Sequence, residues 1–209
     1  MSIALRVPYI TAYDGEDVTY RLVLEPHRGA TDGLRLSYAD ALEQDWLYGV
    51  LWHRHGMTRA GAPQWKMVNT VRQRRCMLHL LCQVCGEPAT GEDSRIWWVM
   101  AEPPGRVSGE LRFTHTPPCC RSCIPLARAL CPRLRRESHV YTASGAEPYG
   151  VVAGLYRPAA GRNVVVVQDA VELPLEAFRD LEYALATQLI VQLDGLQGVD
   201  PGEWHAMPA

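Results

Sequence analysis

Two cysteine pairs, Cys82-Gln83-Val84-Cys85 and Cys120-Arg121-Ser122-Cys123, stand 34 residues apart in a chain of 209. A two-residue spacer lets both sulfurs of a pair point at one ion, and two such pairs complete a tetrahedral four-thiolate shell at ~2.3 Å. That shell has no open position, which suits Zn²⁺ in a structural role. An iron–sulfur cluster or four buried thiols would share the spacing. Gly86 follows the first pair, where the chain must turn back. The second pair precedes a predicted helix, whose first-turn N–H groups favour thiolate over thiol. Cys119 adjoins Cys120 and offers an alternative three-residue spacing, although Cys120 repeats the spacing of the first pair. Cys76-x2-His79 has the form of half a second site, which Cys119 and Cys131 would complete; the plainer reading is that Cys76 and Cys131 pack as small apolar side chains on helix faces.

Seven cysteines is an odd count, and the first residues lack a basic stretch followed by a long apolar core. The chain therefore reads as cytoplasmic, with metal-bound or buried thiols rather than a disulfide framework. No apolar run reaches the ~18–20 residues of a membrane span, so no membrane partner is expected. His53-x-His55 places two imidazoles on one face of an extended segment, which reads as exposed polar positions. Trp97-Trp98 on a strand puts one indole on each face, one for the core and one for packing or stacking. No P-loop, GxGxxG, GxSxG or HExxH pattern occurs.

Strands are expected at Arg21–Leu24, Leu34–Tyr38, Tyr48–Trp52, Arg95–Met100 and Glu110–Thr114, from alternating or short apolar runs. Gly56–Gln64 reads as a loop. Residues 68–81 predict a helix capped by Asn69 or Thr70, with Val68, Val71, Met77, Leu78 and Leu81 on its apolar face. Arg72, Arg74 and Arg75 fall on its other sides. Residues 124–131 predict a helix with Pro125 in its first turn and Pro132 at its stop. Val151–Arg157 and Asn163–Gln168 form a hairpin about Pro158–Arg162. Leu175–Leu193 predicts an amphipathic helix through Leu175, Phe178, Leu181, Leu185 and Leu189.

The order of basic helix, CxxC knuckle, hairpin and CxxC on a helix resembles the treble-clef zinc finger. It is most similar to HNH-type endonuclease domains with an extra four-cysteine zinc, and to small proteins of actinobacterial genomes. The residues that carry this are Arg72–Arg75, Leu81–Gly86 and Cys120–Cys123, within about a third of the chain. The resemblance implies a histidine on the hairpin as general base, an asparagine to orient it, and a helix histidine to hold Mg²⁺. His115 is the only histidine between Gly86 and Cys119, and no Asn lies between Thr70 and Arg162. Ile124-Pro125 stands where the helix histidine would follow. The catalytic set is thus missing apart from His115 as a weak candidate.

The fold expected is α+β, a treble-clef-like zinc centre in a β-rich scaffold with a C-terminal amphipathic helix. Residues 1–67 form the N-terminal β-rich segment, 68–136 the zinc module, and 137–209 the hairpin plus helix, packed together as one domain. Net charge is −2, but it is partitioned: −4 over 1–45, +9 over 46–136 and −7 over 137–209. A basic centre between acidic ends is the footprint of a polyanion site, or of acidic ends folded over it. The function expected is a non-enzymatic zinc-stabilised protein that binds DNA or RNA through Arg72, Arg74, Arg75, Arg121, Arg128, Arg133, Arg135 and Arg136. A protein partner met through the acidic C-terminal region is the alternative, and a divergent nuclease the enzymatic one.

Overall fold

The computed structural model describes residues 7–107, 111–159 and 163–200. It is mixed α+β, built mostly of strands. β1 (Thr11–Tyr13), β2 (Leu22–Pro26), β3 (Leu34–Tyr38), β4 (Trp46–Leu47), β5 (Val50–Trp52) and β6 (Pro63–Val68) precede α1 (Thr70–His79). The centre holds β7 (Ile96–Met100), β8 (Gly105–Val107), β9 (Leu111–Thr114), α2 (Ile124–Leu130) and α3 (Pro132–Arg136). β10 (His139–Ala143), β11 (Gly145–Pro158), β12 (Val164–Pro174), α4 (Phe178–Leu181), β13 (Ala184–Asp194) and β14 (Gln197–Gly198) complete the chain.

The main sheet is organised around β13. It pairs antiparallel with β11 along one edge, and β11 continues the sheet to β12. On its other edge β13 pairs first with β5, in parallel through Leu185 and Ala186, and then antiparallel with β9 through Val191–Leu193. The long helix expected over Leu175–Leu193 is therefore not formed; only Phe178–Leu181 is helical. The reason lies in burial. Ala184, Leu185, Ala186, Leu189, Ile190 and Val191 are all buried, so both faces of this strand are covered. A strand apolar on both faces reads as a continuous apolar run, and its leucines then match a helical period by chance.

A second correction concerns the hairpin between the cysteine pairs. β7 pairs with β10 in a separate three-stranded sheet, whereas β9 pairs with β8 and β13. The hairpin of β11 and β12 does form, with Pro158 opposite Val164. Its turn residues 160–162, and the expected strand start at Glu110, lie outside the described residues. The loop expected over Gly56–Gln64 ends early, because β6 begins at Pro63 and pairs with β1.

One large core joins the cysteine-rich segment to the main sheet. Cys82, Val84, Cys119, Cys123 and Ile124 share it with Trp98, Val140, Val151 and Leu189. Among the described residues Trp98 is the largest fully buried side chain, and its indole N–H donates to the Thr116 carbonyl at 3.1 Å. Each large apolar side chain buried here contributes about 1.5–3 kcal/mol. Among the described residues, no helix is long and apolar enough to cross a membrane.

Candidate metal centre

α1 leads into the first cysteine pair. Asn69 caps it by accepting from the Arg72 backbone N–H, and Leu80 ends it in the left-handed region. The chain then closes a tight knuckle, in which Gly86 N–H donates to the Cys82 carbonyl at 2.8 Å and Val84 N–H donates to Cys82 Sγ at 3.4 Å. Gly86 sits at φ +81°, and a Cβ there would lie 3.1 Å from the Tyr9 ring. Glycine is needed on both counts. The second pair forms a single 3₁₀ turn, with Cys123 N–H donating to the Cys120 carbonyl, and runs directly into α2.

The two turns bring Sγ of Cys82, Cys85, Cys120 and Cys123 within 4.8 Å of one another. Cys85 and Cys120 sulfurs are 3.7 Å apart. Four sulfurs ~2.3 Å from a tetrahedral ion stand roughly 3.8 Å from each other, so the spacing fits such an ion. Cys82 and Cys123 are buried, while Cys85 and Cys120 are half-buried. Gln83 aligns the halves: its backbone N–H donates to the Pro118 carbonyl and its side-chain amide to the Pro117 carbonyl.

As neutral thiols in contact, Cys82, Cys120 and Cys123 resist ionisation. Cys82 is raised by its hydrogen bond with Cys119 and by burial. Cys120 is pushed up to about 12 by its hydrogen bond with Cys82 and by burial. Cys123 reaches about 12 through burial and its contact with Cys120. A divalent cation reverses this balance by stabilising thiolates directly.

Cys120 rather than Cys119 joins the cluster. Cys119 is fully buried, and its sulfur donates toward the Cys120 carbonyl at 3.8 Å. Among the described residues this is the only group of three or more potential ligands close enough to share an ion, so Cys76, His79, Cys119 and Cys131 assemble no second site. Cys76 is buried against the Cys82 carbonyl, with its thiol pushed up to about 12 chiefly by burial. The His53 and His55 rings lie 4.6 Å apart and are half-buried rather than exposed. Burial first, and His55 second, lowers His53 to about 4. His55 accepts from the Thr70 N–H.

His115 is exposed and faces Glu172 at 3.6 Å. Of the eight arginines, four are exposed: Arg75, Arg133, Arg135 and Arg136. Arg72 is the clear departure from expectation. It is 1% exposed, and its guanidinium holds Glu16 through two hydrogen bonds of 2.7 and 2.6 Å. It is therefore closed to phosphate, because the acidic N-terminal segment supplies a buried partner that helical periodicity does not reveal. Arg74 packs over Trp52 and Arg121 over Trp97, each half-buried, and Arg128 is also half-buried. Arg133 pairs with Glu102 at the surface.

No protein-family model matches the chain, and no curated protein or solved structure matches it either.

Proposed function

We propose that this chain is a non-enzymatic binding protein in which a structural zinc ion fixes the shape of a macromolecular docking face. The observation that carries this reading is the four-sulfur cluster, with all Sγ atoms within 4.8 Å. Four thiolates saturate a tetrahedral ion and leave no position for substrate or activated water. The treble-clef and HNH likeness lends the reading its knuckle and its helix. It lends no catalysis, since His115 faces Glu172 and has no histidine partner on α2.

A polypeptide ligand is favoured over nucleic acid by the fate of the arginines. Arg72 is spent on Glu16, Arg74 and Arg121 lie over indoles, and Arg133 meets Glu102. A nucleic-acid role is the second reading, supported by exposed Arg75, Arg135 and Arg136.

Metal analysis of the full chain tests the central proposal. About one zinc per chain, replaceable by Co²⁺ with the intense charge-transfer and visible bands of a tetrahedral four-thiolate site, is the expected result. Protein that folds and purifies from zinc-supplemented medium with no stoichiometric metal would overturn it.

A further inference from the structure

An apolar groove of about 400 Å³ opens beside the knuckle, and its walls come from four parts of the chain. Trp65 and Met67 of β6, Leu130 and Leu134 of α2 and α3, and Ile10 with Val84 all line it. Trp65 is 52% exposed and Met67 54% exposed, large values for side chains of this size. They lie where the pairing of β6 with β1 is interrupted: Thr11 pairs with Val68 and the next residue, Ala12, with Gln64, so residues 65–67 have no partner on β1.

The groove is tied to the metal centre. Gln83 and Val84, between the first two cysteines, line it, and their carbonyls accept from the Ile10 and Tyr9 N–H groups. Ala127 and Leu130 follow Cys123 on α2 and line it too. An ion held between the two pairs would fasten these two parts of the lining at a fixed separation.

The groove also has a charged end. Pro132, one of its lining residues, also lines an adjoining notch whose other walls are Arg135 and Arg136. Both arginines are exposed, with no partner among the described residues, and Lys66 is exposed between Trp65 and Met67. Tryptophan, methionine and arginine beside an apolar trough are the composition of a protein-binding surface, and the cations select for an acidic ligand.

We infer that this groove binds a partner polypeptide segment that sets two or more apolar side chains between Trp65/Met67 and Leu130/Leu134, with an adjacent acidic residue on Arg135 and Arg136. The inference rests on the binding reading above and names its site and the chemistry of its partner.

Panning a phage-displayed library of short random peptides against the full zinc-loaded chain tests it, with metal content and circular dichroism recorded on the same samples. Enriched peptides are expected to place aspartate or glutamate next to paired apolar residues. Synthetic versions should lose roughly tenfold or more in affinity against Met67→Asp and against Arg135→Glu, the scale of a lost interface anchor. Trp65→Ser provides a second groove variant should Met67→Asp misfold.

The proposal is overturned by no enrichment, by enriched peptides without acids, or by affinities that ignore the groove substitutions. It is equally overturned by a homodimer that Met67→Asp dissociates, or by oligonucleotide binding that the same change abolishes. Zinc-loaded protein that enriches no peptide refutes the groove alone. Peptide binding by a folded chain without metal refutes the zinc scaffold alone.

Discussion

The side-chain amide of Gln73 is hydrogen-bonded to the backbone of Leu189 in both directions: Nε2 donates to the Leu189 carbonyl and Oε1 accepts from its N–H, each at 2.9 Å. Leu189 lies between the β5 pairing, which ends at Ala186, and the β9 pairing, which begins at Val191. Along that edge, opposite the one β11 occupies, the strand has backbone groups to satisfy and no neighbouring strand to satisfy them. Gln73 supplies the missing donor and acceptor, and its second Nε2 proton goes to the His115 carbonyl at 2.9 Å. α1 is thus fastened to the main sheet by a residue that is fully buried and polar.

Gln73→Leu keeps the volume, strands the buried Leu189 N–H and carbonyl, and removes the partner of the part-buried His115 carbonyl. Each buried polar group left unpaired costs about 1–3 kcal/mol. Partial relaxation brings the expected loss to about 2–4 kcal/mol, or roughly 6–12 °C in Tm for a chain of this size. Thermal unfolding followed by circular dichroism measures it, and a change under about 1 °C would show that the amide contributes no net stability.

Glu16 and Arg72 predict how the fold responds to acid. Burial alone would raise the Glu16 carboxyl, but hydrogen bonds from Arg72, the Arg59 N–H, Asn69 and the Tyr13 N–H outweigh it and hold the pKa at about 2. The folded-state value lies below the unfolded one of 4.5. The stabilisation is therefore complete above about pH 5 and is lost as pH falls from about 4.5 toward 2. Glu16→Gln should flatten that part of the stability curve. It also leaves Arg72 charged and buried, at a cost of about 3–5 kcal/mol at pH 7. Urea unfolding across pH 2.5–7 separates the two effects.

The four-cysteine cluster could be read from the chain because its geometry is local: each CxxC turn is specified by neighbouring residues, and Gly86 marks the reversal. The strands at Leu34–Tyr38 and Ile96–Met100 were legible for the same reason. What escaped depends on partners distant in sequence. Arg72 falls off the apolar face of α1 and Gln73 carries no signal of its own until Glu16 and Leu189 are seen to meet them, 56 and 116 residues away. β13 hid behind a helical leucine spacing because both its faces are covered. Trp65 and Met67 flank Lys66 with strand alternation, yet the break in pairing opposite Thr11 and Ala12 at which they sit is visible only in the fold.

Serine substitution of the cysteines one at a time should sort them sharply. Cys82→Ser, Cys85→Ser, Cys120→Ser and Cys123→Ser are expected to lower zinc content and to make the remaining ion easy to chelate. Cys119→Ser and Cys131→Ser should keep about one zinc per chain. An ion present at about 1,000 times its dissociation constant stabilises by about 4 kcal/mol, so chelation should lower Tm by on the order of 10 °C. Normal zinc content in Cys120→Ser together with its loss in Cys119→Ser would reassign the fourth ligand.

Salt dependence measures how many arginines are open to phosphate. Eight contacts on duplex DNA would give a log–log slope near −7, whereas Arg75, Arg135 and Arg136 alone give about −3. Fluorescence anisotropy with a mixed-sequence duplex, titrated between low and moderate salt, is expected to return the smaller slope wherever binding is detected. Arg135→Ala should then reduce its magnitude by about 1 while the fold stays intact. Arg72→Ala should instead destabilise the protein, because it leaves Glu16 without its buried counter-charge. A slope near −7 would mean either that further exposed cations such as Lys66 and Arg133 reach phosphate, or that the half-buried arginines and Arg72 itself leave their packed positions to face the nucleic acid. Hydrogen exchange across α1 would register that rearrangement directly.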